Sequence, residues 1–170
     1  MGATLTAVLV RGGHAHVAQV GDSRAYLLRR EQIRQVTKDQ SYVAVLVEAG
    51  VMTREQAEAS PYKNAILQAM GTKPDVHVGL GRLELRRGDV FLVCSDGLWG
   101  KLEDRTLFDI VRSSAGLVEA CDRLVAAANE AGGEDNITVV LAELAGDGLA
   151  EPRETVTKTY QSIDPGTLGL

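Results

Sequence analysis

Apolar and β-branched residues fill the chain from Ala3 to Val10, and beyond a Gly12-Gly13 turn polar and apolar positions alternate from His14 to Val20. A glycine turn between two such runs predicts adjacent antiparallel strands. Gly21-Asp22-Ser23 reads as a tight turn, Arg24 to Leu28 as a returning strand and Gln32 to Val36 as a fourth, so the chain is expected to open as a β-meander. The period then changes. Tyr42, Val43, Val45, Leu46 and Val47 crowd together with helical spacing ahead of a stop at Gly50. Thr53-Arg54-Glu55-Gln56 has the form of a capping box and predicts a helix through Ala59, closed by Ser60-Pro61. Lys63 to Met70 reads as a third short helix, so residues 40–75 form a small helical insert between strands.

Val76 to Leu85 resumes the strand pattern, and Val90 to Cys94 is an unbroken apolar run of the kind buried on both faces, which predicts a central strand. Two amphipathic helices follow, Asp104 to Arg112 and Leu117 to Asn129, then a Gly132-Gly133 break and a last strand, Ile137 to Leu144. Beyond Ala145 the hydrophobic period is lost. Residues 145–170 are therefore expected to be a flexible tail or linker behind a single domain over 1–144.

Composition narrows the class. Of 170 residues, 45% are hydrophobic and 24% charged, which excludes collagen-like and wholly disordered chains. The net charge is −5 without a block of like charges, so nucleic acid is not an expected partner. Cys94 and Cys121 lack Cys-x-x-Cys spacing and read as ordinary thiols of a reducing compartment, which predicts a cytoplasmic location. The longest apolar stretches fall well short of the ~20 residues that span a bilayer, and Met1 is followed by no signal peptide. No membrane association is expected.

Candidate chemistry concentrates on aspartates. Asp96 directly follows the buried strand, in Cys94-Ser95-Asp96-Gly97-Leu98, and Asp135 precedes the last strand, in Gly132-Gly133-Glu134-Asp135-Asn136. Either alone could be a turn residue satisfying nearby amides. If their strands are neighbours in one sheet, the carboxylates converge, and a hard divalent cation with oxygen ligands is what lets both stay ionised. Asp39 lies at the entry to the insert, where an Asp could also cap a helix. For Asp22, in Gly21-Asp22-Ser23-Arg24, a structural role in the turn is favoured, with Arg24 as a possible partner. His14 and His16 share a strand face but lack a third ligand, and neither cysteine has a locally placed histidine, so metal binding by the one pair and nucleophilic catalysis by the other are disfavoured.

The ordered series Gly2-Ala3-Thr4, Gly21-Asp22-Ser23-Arg24, Thr37-Lys38-Asp39, Cys94-Ser95-Asp96-Gly97-Leu98-Trp99 and Gly133-Glu134-Asp135-Asn136-Ile137-Thr138-Val139 resembles the metal-dependent, type 2C serine/threonine protein phosphatases in their bacterial form. The resemblance implies an α+β fold, a β-sandwich flanked by helices in four layers (αββα), incomplete at the N-terminus, with the insert as the family's flap. It implies two Mn²⁺ or Mg²⁺ ions and, in bacterial members, a third. On that pattern Asp96 and Asp135 are metal ligands and Asp39 belongs to the third ion. The nucleophile is a metal-activated water, and no side chain is assigned as catalytic. The implied substrates are phosphoserine and phosphothreonine proteins, with a cognate kinase as a possible partner. The family's first metal aspartate, in an Asp-Gly motif, and its phosphate-binding arginine belong upstream of the Gly-Ala-Thr strand and have no counterpart in this sequence. Two alternatives follow: a non-catalytic, phosphatase-like binding module, and a phosphohydrolase of small esters.

Overall fold

A computed structural model describes residues 1–152, 156 and 160–163. Among these, strands β1 (Leu5–Arg11), β2 (His14–Val20), β5 (Gly79–Glu84) and β8 (Tyr160–Ile163) form one sheet in the order β1-β2-β5-β8. Strands β3 (Arg24–Arg29), β4 (Gln32–Gln35), β6 (Val90–Cys94) and β7 (Val139–Glu143) form a second in the order β4-β3-β6-β7. All pairings are antiparallel.

The first four strands make two hairpins in two sheets and not the single meander expected. β2 pairs with β1 and β5, whereas β3 pairs with β4 and β6, so the chain changes sheets at Gly21-Asp22-Ser23. Gly21 makes the switch at a φ of 103°, which side chains rarely tolerate, and a Cβ there would come within 2.5 Å of the Thr4 methyl. The Gln19 side-chain amide donates to the carbonyls of Gly21 at 3.1 Å and Ser23 at 3.0 Å, satisfying backbone that has left the ladder.

Period two sorts the side chains into layers. Ala15, Val17 and Leu83 of the first sheet meet Ala25, Leu27 and Phe91 of the second between the sheets. The other face of the second sheet, with Tyr26, Leu28 and Leu92, is covered by α4 (Asp104–Ser113) and α5 (Leu117–Glu130) through Leu107, Phe108 and Leu124. β6 is paired on both sides and packed on both faces, as its unbroken apolar run requires. The fold is the expected α+β sandwich flanked by helices, but the described residues supply three layers and not four. Both long helices lie on the second sheet, and on the outer face of the first Leu5 and Leu9 remain 50% and 63% exposed.

Between β4 and β5 the insert holds α1 (Tyr42–Glu48) and α2 (Arg54–Glu58), the latter with the reciprocal Thr53–Gln56 capping box. The third helix expected over Lys63 to Met70 does not form. Leu67 N donates to Gln40 O at 2.8 Å and Met70 N to Ala3 O at 2.8 Å, so long-range bridges take the donors that a helix would use locally. A short helix α3 (Asp96–Trp99), not anticipated from the pattern, follows β6 directly.

The span 145–170, expected to be a flexible tail or linker, includes described residues with defined places. β8 pairs with β5, Leu80 opposite Ile163, and Val156 is buried in the core between the sheets. The physical reason is that β5 would otherwise end the sheet with unpaired backbone groups.

Candidate functional site

Strand register brings the segments that carry Asp22, Asp96 and Asp135 to one end of the second sheet. Arg24 stands opposite Cys94 across β3 and β6, and Cys94 opposite Val139 across β6 and β7. Asp22 lies just before the first pair, Asp96 just after it, and Asp135 in the loop leading to Val139. The strands that end at Asp96 and begin beyond Asp135 are neighbours.

The two loops are fastened together. Ser95 Oγ donates to Asn136 O at 3.0 Å and accepts from Thr138 N at 2.9 Å, while Ser95 N donates to Thr138 O at 3.1 Å. Gly97 is required by this approach, because a Cβ there would sit 2.5 Å from Asn136 O. Asp96 opens α3 and accepts from Gly97 N at 3.1 Å. Asp135 is exposed and accepts from Asn136 N at 2.7 Å, and the adjacent Glu134 pairs with Lys101.

The carboxylate that faces Asp96 electrostatically is Asp22, which the sequence reading gave only a structural role. Asp22 is 4% exposed, and its carboxyl is raised to about 6, first by burial and then by the charges of Asp96 and Asp39. Its expected partner Arg24 turns instead to Asp39. The usable signal lay in the topology: a turn that switches sheets beside the strand ending at Asp96 brings its acid to the same end of the sandwich. Periodicity alone does not reveal that switch.

Asp39 does not cap α1, since Ser41 does, accepting from Ala44 N at 3.3 Å. Its carboxylate is held by the Arg24 guanidinium, with Nη2 to Oδ2 at 2.6 Å, and by Gln35 Nε2 to Oδ1 at 2.7 Å. Burial opposes the charge on Arg24, but hydrogen bonds to Asp39 and Tyr26 hold it firmly protonated. Gln40, next in sequence, accepts from Gly21 N at 2.8 Å through its side chain and donates from its own N to Gly21 O at 3.0 Å, clamping the insert to the Asp22 loop.

Burial pushes the Cys94 thiol up to about 12, which removes it as a nucleophile at neutral pH. His14 and His16 lie opposite Glu84 and Arg82 on the outer face of the first sheet, away from the aspartates. A buried acid beside two others, with oxygen donors only, suits a hard cation such as Mg²⁺ or Mn²⁺. Among the described residues, however, no group of three or more His, Cys, Asp or Glu side chains is placed to hold a metal by itself.

Residues 1–142 match the family model described as protein phosphatase 2C. The chain is 42% identical over 144 residues to protein phosphatase PhpP of Streptococcus pneumoniae, covering 85% of this chain and 58% of that one. It is 40% identical to the serine/threonine phosphatase stp of Listeria welshimeri, with 84% and 57% covered. Among solved structures, the Mycobacterium tuberculosis serine/threonine phosphatase PstP/Ppp superimposes with a TM-score of 0.79 at 38% identity, covering 84% of this chain and 60% of that one. The chain thus spans under two thirds of the length of these relatives. With the motifs, the sandwich and the acidic strand ends in agreement, this chain belongs to the protein phosphatase 2C family.

Proposed function

We propose that the protein acts in the hydrolysis of phosphoserine and phosphothreonine in protein substrates, with Asp96, Asp135 and Asp22 holding Mn²⁺ or Mg²⁺. The observation that carries this reading is the placement of buried Asp22 and of Asp96 on either side of the Arg24–Cys94 pair at one end of β3 and β6, where burial and then the charge of Asp96 raise the Asp22 carboxyl and favour a cation between them. When bound, such ions would supply an activated water and neutralise phosphoryl oxygen charge. The chain's own part is to hold the carboxylates in place. Ser95 and Gly97 fix the Asp96 loop against the Asp135 loop, and Gln40 fixes the Asp22 loop against the insert. The third ion that the resemblance associates with Asp39 meets a carboxylate already engaged on both oxygens.

That stp of Listeria welshimeri and PstP/Ppp are serine/threonine phosphatases supports the substrate class, and a PstP catalytic domain solved in complex with two manganese ions, 36% identical with a TM-score of 0.74, supports the choice of metal. A cognate serine/threonine kinase is the phosphoprotein partner in keeping with this reading. Among the described residues no helix is long and apolar enough to cross a membrane, and both cysteines are free; we place the protein in the cytoplasm on the spacing of those cysteines.

The test is phosphate release from a phosphothreonine peptide and from p-nitrophenyl phosphate with Mn²⁺, run beside Asp96→Asn. Because the family's first metal aspartate and phosphate-binding arginine have no counterpart in this sequence, turnover by residues 1–170 alone is expected to be below detection. Turnover of the peptide that Asp96→Asn abolishes would show that these carboxylates suffice. Turnover of the small ester alone, equally lost in that variant, would move the reading to a small-ester phosphohydrolase.

A further inference from the structure

Arg24 stands where the contacts between the acidic loops and the insert cross. Its guanidinium carbon lies 3.6 Å from the centroid of the Trp99 ring, a stacked cation–π contact. Nε donates to Asp39 Oδ1 at 3.0 Å and Oδ2 at 3.1 Å, Nη2 donates to Oδ2 at 2.6 Å, and Nη1 donates to the Tyr26 hydroxyl at 2.9 Å. The Trp99 indole N–H donates in turn to the Asp22 carbonyl at 3.1 Å. Trp99 ends the short helix that Asp96 begins. The contacts therefore run without a gap from Asp39 through Arg24 and Trp99 to the backbone of Asp22, with Asp96 on the same helix as the indole.

A carboxylate offers about four acceptor sites. Those of Asp39 are taken by three contacts from Arg24 and one from Gln35, in a charge-assisted fork. A guanidinium can grip a carboxylate through two nitrogens while its carbon sits over an indole ring, which a lysine ammonium cannot reproduce. We infer that Asp39 is the anchor of Arg24 and not a cation ligand, and that Arg24, stacked on Trp99, is a positioning residue that fixes where the Asp22 and Asp96 loops stand. The inference rests on the cation-binding reading of Asp22 and Asp96 and gives Asp39 a different part from the one the resemblance implies.

Trp99 is the sole tryptophan of the chain, so tryptophan emission reports this cluster alone. Arg24→Gln, Arg24→Lys, Asp39→Asn and the double variant Arg24→Gln/Asp39→Asn are compared with the wild-type 170-residue chain, each shown folded by circular dichroism at the working temperature. In metal-free protein, each single substitution shifts Trp99 emission and opens the indole to a neutral quencher. The double variant adds nothing further, and Arg24→Lys does not restore the wild-type signal. In calorimetric titrations with MnCl₂, Arg24→Gln and Asp39→Asn each weaken binding about tenfold or more, the size expected when a group that orients ligands is lost. A ligand role for Asp39 has the opposite sign: Arg24→Gln would free the carboxylate, remove a nearby positive charge and tighten Mn²⁺ binding, while metal-free Asp39→Asn would leave Trp99 unchanged. That pattern overturns the inference. A wild-type chain that takes up no Mn²⁺ defeats the cation reading itself, and the metal-free emission of Asp39→Asn then decides the anchor alone.

Discussion

Ser95 and Thr138 are joined twice over. The Ser95 N–H donates to the Thr138 carbonyl at 3.1 Å, and the Thr138 N–H donates to the Ser95 hydroxyl at 2.9 Å. This reciprocal pair continues the β6–β7 ladder past its last strand residues and sets the Asp96 loop against the Asp135 loop. The hydroxyl also donates to Asn136 O, so one small side chain secures two backbone groups of the Asp135 loop. Ser95→Ala removes two of these bonds and is expected to lower stability by about 1–2 kcal/mol, read from urea unfolding, while Ser95→Thr retains most of it. Unchanged stability in Ser95→Ala would mean that the loops are held by other contacts.

Gly97 is the steric counterpart of that fastening. A methyl group placed there would press on Asn136 O from 2.5 Å, and backbone on both sides leaves little to yield. Gly97→Ala should therefore cost about 1–3 kcal/mol. By parting the loops it should also weaken Mn²⁺ binding more than Ser95→Ala does. Calorimetric titration of the two variants side by side checks the order.

The Asp22 carboxyl gives the stability a pH dependence. Its ordinary value is 3.8 and its folded value about 6, with Asp96, Asp39 and Arg24 the charged groups facing it. The folded state thus holds the proton more tightly than the unfolded state. The contribution favouring the fold is full below about pH 4, falls as pH rises toward 6 and is absent above it. Thermal midpoints of the metal-free chain should show this decline between pH 4 and 6.5, and Asp22→Asn should flatten it. A slope that survives in Asp22→Asn would assign it to another group. At pH 7.5, Mn²⁺ should raise the midpoint of the wild type more than that of Asp22→Asn.

At the opposite end of β3, Arg29 and Asp89 form a pair that is almost fully buried, with Nε to Oδ1 and Nη2 to Oδ2 both at 2.7 Å. Asp89 also accepts from Arg86 N at 2.8 Å, which ties the β5–β6 turn to the second sheet. Removing one partner leaves a charge stranded between the sheets. Arg29→Met is expected to destabilise by about 3–5 kcal/mol, measured by denaturant unfolding. A change below about 1 kcal/mol would show that water reaches Asp89.

Much of this architecture is legible in the residues because it follows from period. The alternation in β2, the unbroken run of β6, the Thr53–Gln56 box and the apolar stripes of α4 and α5 are local signals, and each appears where it was read. What the residues do not show is set by distant partners. The chain's change of sheet at Gly21 depends on Gln19, Thr4 and Gln40 meeting there, and Lys63 to Met70 loses its helix to pairing with Ala3 and Gln40. The strand pattern begun at Val76 becomes β5 only from Gly79, and β8 is short and separated from its partner by α3, α4, α5 and two strands. In the same way the aspartates at 96 and 135 are conspicuous beside apolar strands, whereas Asp22 looks like a turn residue until β3 is seen beside β6.

The most direct measurement is the Mn²⁺ binding isotherm of the 170-residue chain compared with those of Asp96→Asn and Asp22→Asn at neutral pH. Carboxylates gathered at the strand ends to hold a cation predict a measurable isotherm for the wild type that each substitution weakens at least tenfold. Isotherms that superimpose on that of the wild type in both variants would contradict it.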